Sequence, residues 1–243
     1  MFTETYAHLY DLIHGSKNYF KEVNEILRIS ELENVKNLRG FDLGCGTGSH
    51  AAEFFKLGVV VDGFDVSKDM LTVAKSRYPN LNFSDSLNDF PGEYDFSYSL
   101  FDVLSYQTNE SELGNLLLNL FDHTKSGGIC LVDSWNSKGV RLDPPRLNER
   151  VVNSKSGEIS RKVTPDLSCA NQDTYGLHID LAEMPSGKIL KNELHILRAW
   201  SPSEVINIME KVGFRNLSIY NPTNPKIEFS EFDWRFGIKA KKP

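Results

Sequence analysis

Residues 41–48 read FDLGCGTG: an apolar run closes on Leu43, and three glycines then alternate with small residues. Glycines at 44, 46 and 48 let another group approach the backbone closely and leave the chain free to take turns with positive φ. The apolar run has the length of a buried strand. SHAAEFFKLG (49–58) follows with helical spacing and a stop at Gly58. Strand, glycine turn and helix together open an α/β unit, whose ligand lies beyond the carboxyl end of the strand.

Outward from this stretch the plan repeats. Apolar runs closing on acidic residues recur in GVVVDGFDV (58–66) and NLNFSD (80–85), and YDFSYSLF (94–101) and GGICLVDSW (127–135) follow suit. SKDMLTVAKSRYP (67–79) starts at a Ser67 cap and ends before Pro79. NESELGNLLLNLFDHTKSGG (109–128) carries leucines and Phe121 at helical spacing and is expected to halt at Gly127 and Gly128. This alternation predicts right-handed crossovers and a mostly parallel, doubly wound sheet covered on both faces.

Residues 136–200 break the pattern. Two alternating runs flank PSGK (185–188), the signature of a hairpin, and NERVVNSKSGEISRKV (148–163) offers a further strand or two. SPSE (201–204) is a capping box with Pro202 at the first helical position, and that helix stops at Gly213. RNLSIY (215–220) and WRFGIKA (234–240) read as closing strands. With no repeat and no linker, residues 1–243 are expected to form one domain in which 136–200 is an antiparallel insertion over the ligand edge.

A net charge of −6 gives no electrostatic footprint for nucleic acid or an anionic membrane. No apolar run has the length to cross a bilayer, and MFTETYAHLYDLIH is unlike a secretory signal. Cys45, Cys130 and Cys169 are three widely spaced thiols, which argues for a reducing cytoplasm and against a disulfide scaffold or a zinc site. No clustered His, Asp and Glu set predicts a metal.

The glycine spacing separates ligand classes. No Lys follows the glycines, as a P-loop requires, and positions 44, 46 and 48 do not fit G-x-G-x-x-G. Asp65, closing the second strand, is placed to accept hydrogen bonds from both hydroxyls of a ribose. Asp85, closing the third, is placed to reach an adenine amino group. The expected ligand has a ribose and a base but no phosphate clamp.

In this order and spacing, FDLGCGTG, GFDVSKDML (63–71) and FSDSLNDF (83–90) resemble the three cofactor motifs of the class I S-adenosylmethionine-dependent methyltransferases. The resemblance implies a seven-stranded sheet with S-adenosyl-L-methionine as cofactor. Asp42, Gly44, Cys45, Gly46, Thr47 and Gly48 would line its methionine and ribose portion, and Asp65 would hold the ribose hydroxyls. Val66 and Met70 would lie beside the adenine, and Asp85, Ser86 and Leu87 along its edge. LYDLIHGSKNYFKEVNEI (9–26), LFDVLSYQTNESEL (100–113), LVDSWNSKGV (131–140) and the block from Glu193 to Phe214 are similar to the sugar-nucleotide amine N-methyltransferases, makers of dimethylamino sugars. That likeness implies that Tyr10 and Tyr19 approach the cofactor carboxylate, that Leu100 and Phe101 flank the cofactor, and that Arg235 contacts the sugar nucleotide's phosphates. The chain departs from the family at Phe2, where some members carry an aromatic hydroxyl, and at FDW (232–234), where glycines are usual.

Tyr106 is the first catalytic candidate, as an orienting partner or proton relay; a packing anchor is the alternative. Asp102 could face the cofactor's amino group or the acceptor, or cap a helix. Asp133 and Trp135 are placed to line the acceptor pocket. His178 and His195 alternate with apolar residues on the hairpin, and of the two His178 is assigned to the substrate. The expected acceptor is the amino group of a nucleotide-linked amino sugar. The open alternatives are an O- or C-methyltransferase of a small metabolite and a cofactor-binding protein without chemistry. No nucleic-acid or membrane partner is expected, and a homodimer stays open.

Overall fold

The computed structural model describes residues 4–14, 17–32, 35–154, 157–171 and 173–243, with the backbone alone at 4–5 and 167–171. Phe2 lies outside the described residues, as does the side chain of Cys169. Cys45 and Cys130 are buried free thiols.

Two helices, α1 (Glu4–Ile13) and α2 (Tyr19–Ile29), precede β1 (Arg39–Leu43). Then α3 (Ser49–Lys56), β2 (Val60–Phe64), α4 (Lys68–Arg77), β3 (Phe83–Ser84) and β4 (Tyr94–Ser99) alternate as the periodicity predicts. Helix α5 (Glu110–His123) leads into β5 (Thr124–Trp135), followed by the short α6 (Ser137–Leu142). Four strands come next: β6 (Asn148–Ser154), β7 (Gly157–Asn171), β8 (Thr174–Glu183) and β9 (Ile189–Arg198). The chain closes with α7 (Pro202–Val212), β10 (Arg215–Tyr220) and β11 (Arg235–Lys241).

Seven strands form one sheet in the order β10-β11-β5-β4-β1-β2-β3, with β11 antiparallel to both its neighbours, β10 and β5, and the remaining pairs parallel. Helices cover both faces, so the strands are apolar on both sides. Phe41, Val132 and Ile238 pack on Leu113, Leu117 and Leu120 of α5 and on Val205 and Met209 of α7. On the other face Phe96, Tyr98 and Leu131 meet Val23 and Ile26 of α2, Phe54 of α3 and Leu71 of α4. Strand order turns back between β1 and β4, and the crevice at their carboxyl ends is where such sheets take ligands.

The capping box is present: Ser201 Oγ accepts from the Glu204 amide, and Glu204 Oε2 accepts from the Ser201 amide at 2.8 Å. One boundary differs from expectation. Helix α5 ends at His123, before the two glycines, because Thr124 turns extended and buries its hydroxyl between Ser97 Oγ and Leu120 O, both at 2.6 Å. Gly127 and Gly128 then fall inside β5, where the register with β4 slips between Tyr94 and Phe96.

The insertion after β5 is a second, antiparallel sheet in the order β6-β7-β8-β9. Its inner face places Ile159, Val163, Ile179 and Leu181 on Tyr6, Ala7 and Ile13 of α1 and on Met70 and Val73 of α4. Among the described residues no helix is long and apolar enough to cross a membrane.

Gly48 is fixed by two constraints. Its φ is +76°, and a Cβ there would stand 2.5 Å from Phe83 Cζ and 3.3 Å from the Ala74 Cβ. Gly48→Val should therefore destabilise the protein by about 1–3 kcal/mol from overpacking alone. An unchanged thermal midpoint in that variant would refute the account of this turn.

Candidate active site

Beyond the ends of β1 and β4 lies a cavity of about 740 Å³. Its floor is the glycine loop. Gly44 and Cys45 donate their amides to Phe64 O (2.8 and 3.0 Å), fixing the turn against the end of β2. Asp65 accepts from the Gly46 amide through Oδ2 and from the Ser67 amide through Oδ1, each at 2.8 Å. Burial raises its carboxyl above the ordinary value, and those two amides work against the shift. A Cβ at Gly46 would meet nothing within 4 Å, so the space above that residue is open for a ligand.

A smaller recess, which shares Tyr10, Lys17, Gly44 and Gly46 with the cavity, is lined also by Tyr19, Asp42, Cys45, Thr47 and His50. Asp42 is buried there, its Oδ2 has no hydrogen-bond partner among the described residues, and burial lifts its carboxyl to about 7. Lys17 lies over the rings of Phe101 and Tyr19, 3.7 Å from Glu22, and burial pulls its amine down to about 8. An orphaned carboxylate and a lysine at one end of the recess suit a zwitterionic amino-acid group: Asp42 its ammonium, Lys17 its carboxylate. Tyr19 donates its hydroxyl to Asp11 at 3.2 Å, and Asp11 also takes the Thr47 hydroxyl at 2.9 Å and pairs with Arg77. Helix α1 is thereby tied to the glycine loop.

The opposite wall is aromatic and basic. Tyr106 OH lies 2.9 Å from His195 Nδ1, and His195 Nε2 lies 3.2 Å from Glu193 Oε2. With Nε2–H donated to Glu193, Nδ1 is left to accept from Tyr106. Burial lowers the His195 pKa below its usual value, against the pull of Glu193, and pushes the Tyr106 hydroxyl up. The Tyr6 ring lies tilted, its centroid 6.3 Å from that of His195, and Trp135, Leu177, Ile179 and Leu197 add apolar surface around them.

The structure brings together Tyr10, Gly44, Gly46, Asp65, Val66, Met70, Leu100, Phe101, Asp102, Tyr106 and Trp135 on the cavity wall. Gly48 is not on that wall; it packs beneath the loop against Phe83. Several other assigned residues lie off that wall. Asp85 is exposed and lies 3.6 Å from Lys68, and neither it nor Ser86 nor Leu87 lines the cavity, because β3 ends at Ser84 and the chain turns away. His178 points outward, 3.3 Å from Asp166. The reason is register: Leu177 faces His195 across the ladder and His178 faces Leu194, so the two histidines must take opposite sides. It is His195 that enters the site.

Asp133 and Arg235 do not line the cavity either. Arg235 holds Asp133 through Nη2 at 2.9 Å and stands with Nε 2.8 Å from Asp102 Oδ1, so its charge is committed within the protein. Asp133 also accepts the Asp102 amide at 2.9 Å. This triad secures a strained loop, since Phe101 and Asp102 both have left-handed φ (65° and 66°), a conformation costing on the order of 1–3 kcal/mol per residue. Sequence reading passed over Tyr6, Lys17, Arg161 and Glu193, which line or support the cavity. For Glu193 the signal was its alternation with His195.

Residues 41–128 match the family described as a methyltransferase domain. The chain is thus an S-adenosylmethionine-dependent methyltransferase, consistent with a glycine turn, a ribose-competent Asp65 and a recess shaped for an amino-acid group. Along most of its length it is similar to the dTDP-3-amino-3,4,6-trideoxy-alpha-D-glucopyranose N,N-dimethyltransferase of Streptomyces venezuelae, 24% identical over 220 residues that span 88% of this chain and 92% of that protein. In fold it is similar to crystalline DesVI from Streptomyces venezuelae (TM-score 0.77, 20% identity, 98% of both chains). It is also similar to the S-adenosylmethionine-bound amino pentose methyltransferase CalS10 from Micromonospora echinaspora (TM-score 0.74, 16% identity, 100% and 98% of the two chains).

Proposed function

We propose that the protein methylates the amino group of a nucleotide-linked amino sugar. The observation that carries this reading is the Tyr106–His195–Glu193 chain, which faces the glycine loop across the cavity. The similarity to amino-sugar N,N-dimethyltransferases supports it. The lid in this reading is the sheet of residues 148–198, part of the same domain, and it excludes water from the reacting centre.

S-adenosylmethionine supplies a methyl group already activated on a sulfonium. The rest falls to the chain. Asp65 takes the ribose hydroxyls, and Asp42 and Lys17 take the amino-acid end. Phe101 and Trp135 wall the acceptor against Tyr106. Orientation of this kind contributes about 7–11 kcal/mol to lowering a barrier. The nitrogen lone pair forms the new N–C bond as the C–S bond breaks, and the product nitrogen then sheds a proton. Tyr106 accepts it and passes its own to His195 Nδ1, and Glu193 stabilises the imidazolium. A neutral histidine at neutral pH suits an amine; a hydroxyl or carbon acceptor would call for a stronger base or a metal.

The test is steady-state kinetics with nucleotide-linked amino sugars. His195→Gln should lower kcat by about 10²-fold or more, the range of a lost general base, with Tyr106→Phe smaller in effect. Because burial lowers the His195 pKa, the wild-type rate should be sustained at neutral pH and fall on acidification only below the ordinary histidine value of 6.5. The Gln variant should lack that limb. Wild-type kinetics in His195→Gln would remove the relay, and turnover of hydroxyl acceptors alone would replace the amine reading with O-methylation.

A further inference from the structure

The ladder between β6 and β7 holds an unfavourable pair. Arg150 stands directly opposite Arg161, whereas the next pair, Glu149 and Lys162, is complementary. Like charges facing each other across a ladder are destabilising. They persist more readily where an anion sits between them.

Both arginines belong to the inner face of the lid, the face that also carries Ile159 and Val163. Arg161 lines the cavity. Its guanidinium is hydrogen-bonded to the Tyr6 hydroxyl, yet its Nε is buried with no hydrogen-bond partner among the described residues. The positive field of the two arginines reaches the neighbouring wall: the His14 pKa is pulled down to about 4, first by burial and then by Arg161, Lys17 and Arg150. The other cations at this sheet edge are engaged. Arg235 is neutralised by two carboxylates, and Lys17 faces the glycine loop.

We propose that Arg150 and Arg161 form an anion site under the lid, which takes the diphosphate of the nucleotide-linked acceptor. The proposal rests on the reading above and supplies what Arg235 cannot. Two guanidinium forks match the oxygens of a diphosphate and can grip it bidentately. The sugar then extends from this site past Tyr6 toward Tyr106 and His195, and the lid strand that holds the charge also frames the reacting centre.

The test is calorimetric and needs no methyl transfer. Protein loaded with S-adenosylhomocysteine is titrated with inorganic pyrophosphate and, separately, with a nucleoside diphosphate. The wild type should bind both. Arg161→Gln should weaken binding at least 10-fold, Arg161→Lys less, and Arg150→Gln several-fold, with S-adenosylhomocysteine affinity unchanged in each. Arg150 is exposed, so its replacement leaves folding out of the question. By relieving repulsion, Arg150→Gln should also raise the thermal midpoint of the anion-free protein while weakening the ligand. Failure of the wild type to bind either anion, or equal binding by the wild type and both Gln variants, would overturn the site. An enzyme that binds pyrophosphate through these arginines but methylates only hydroxyls keeps the site and loses the amine.

Discussion

Arg235→Met is expected to destabilise the protein by about 3–5 kcal/mol, the cost of leaving a buried charge without its partner. For a chain of this size that is a fall in thermal midpoint on the order of 10 °C. Two carboxylates, Asp102 and Asp133, depend on one guanidinium. Burial already raises the Asp102 carboxyl and Arg235 opposes that shift, so removing the arginine drives Asp102 toward protonation. The strained turn at Phe101 and Asp102 then loses its clamp, and cofactor affinity should fall with stability. Adding Asp133→Asn to the same chain should recover part of the loss, since one of the two orphaned charges disappears. A variant with a wild-type midpoint and only a raised KM for a sugar nucleotide would return Arg235 to the role of phosphate anchor.

Asp65→Ala should abolish useful cofactor binding. A carboxylate offers about four acceptor positions, and the amides of Gly46 and Ser67 occupy two of them. The remaining two face the cavity, where ribose hydroxyls would lie. Hydrogen bonds to a charged group contribute about 1.5–3 kcal/mol each, so losing two costs about 3–6 kcal/mol, or roughly 10²- to 10⁴-fold in affinity. Asp65→Asn should fall between, because the amide keeps one acceptor oxygen. Calorimetry with S-adenosylhomocysteine decides the point: an Asp65→Ala variant within a few-fold of wild type would place the ribose elsewhere.

Local rules carried far in this chain. The apolar runs, the Ser67 and Ser201 caps and the glycine turn each act within a few residues, and each appears where its spacing puts it. The end of α5 did not, because Thr124 found buried hydroxyl partners on β4 that no neighbour in sequence announces. Nor did the reach of Asp85, which depends on β3 stopping after two residues.

By itself the sequence determined the alternating strands and helices, the glycine turn after β1, and the acidic residue that follows β2. Only the tertiary structure decided which histidine enters the site and which cation is neutralised by carboxylates. A strand's period of two says that alternate residues share a face, but not which face is inside. That choice is made by register against a partner strand, as at Leu177 and His195. A charge likewise gains its role from partners distant in the chain: Arg235 from carboxylates at 102 and 133, Arg161 from the arginine that stands opposite it across the ladder.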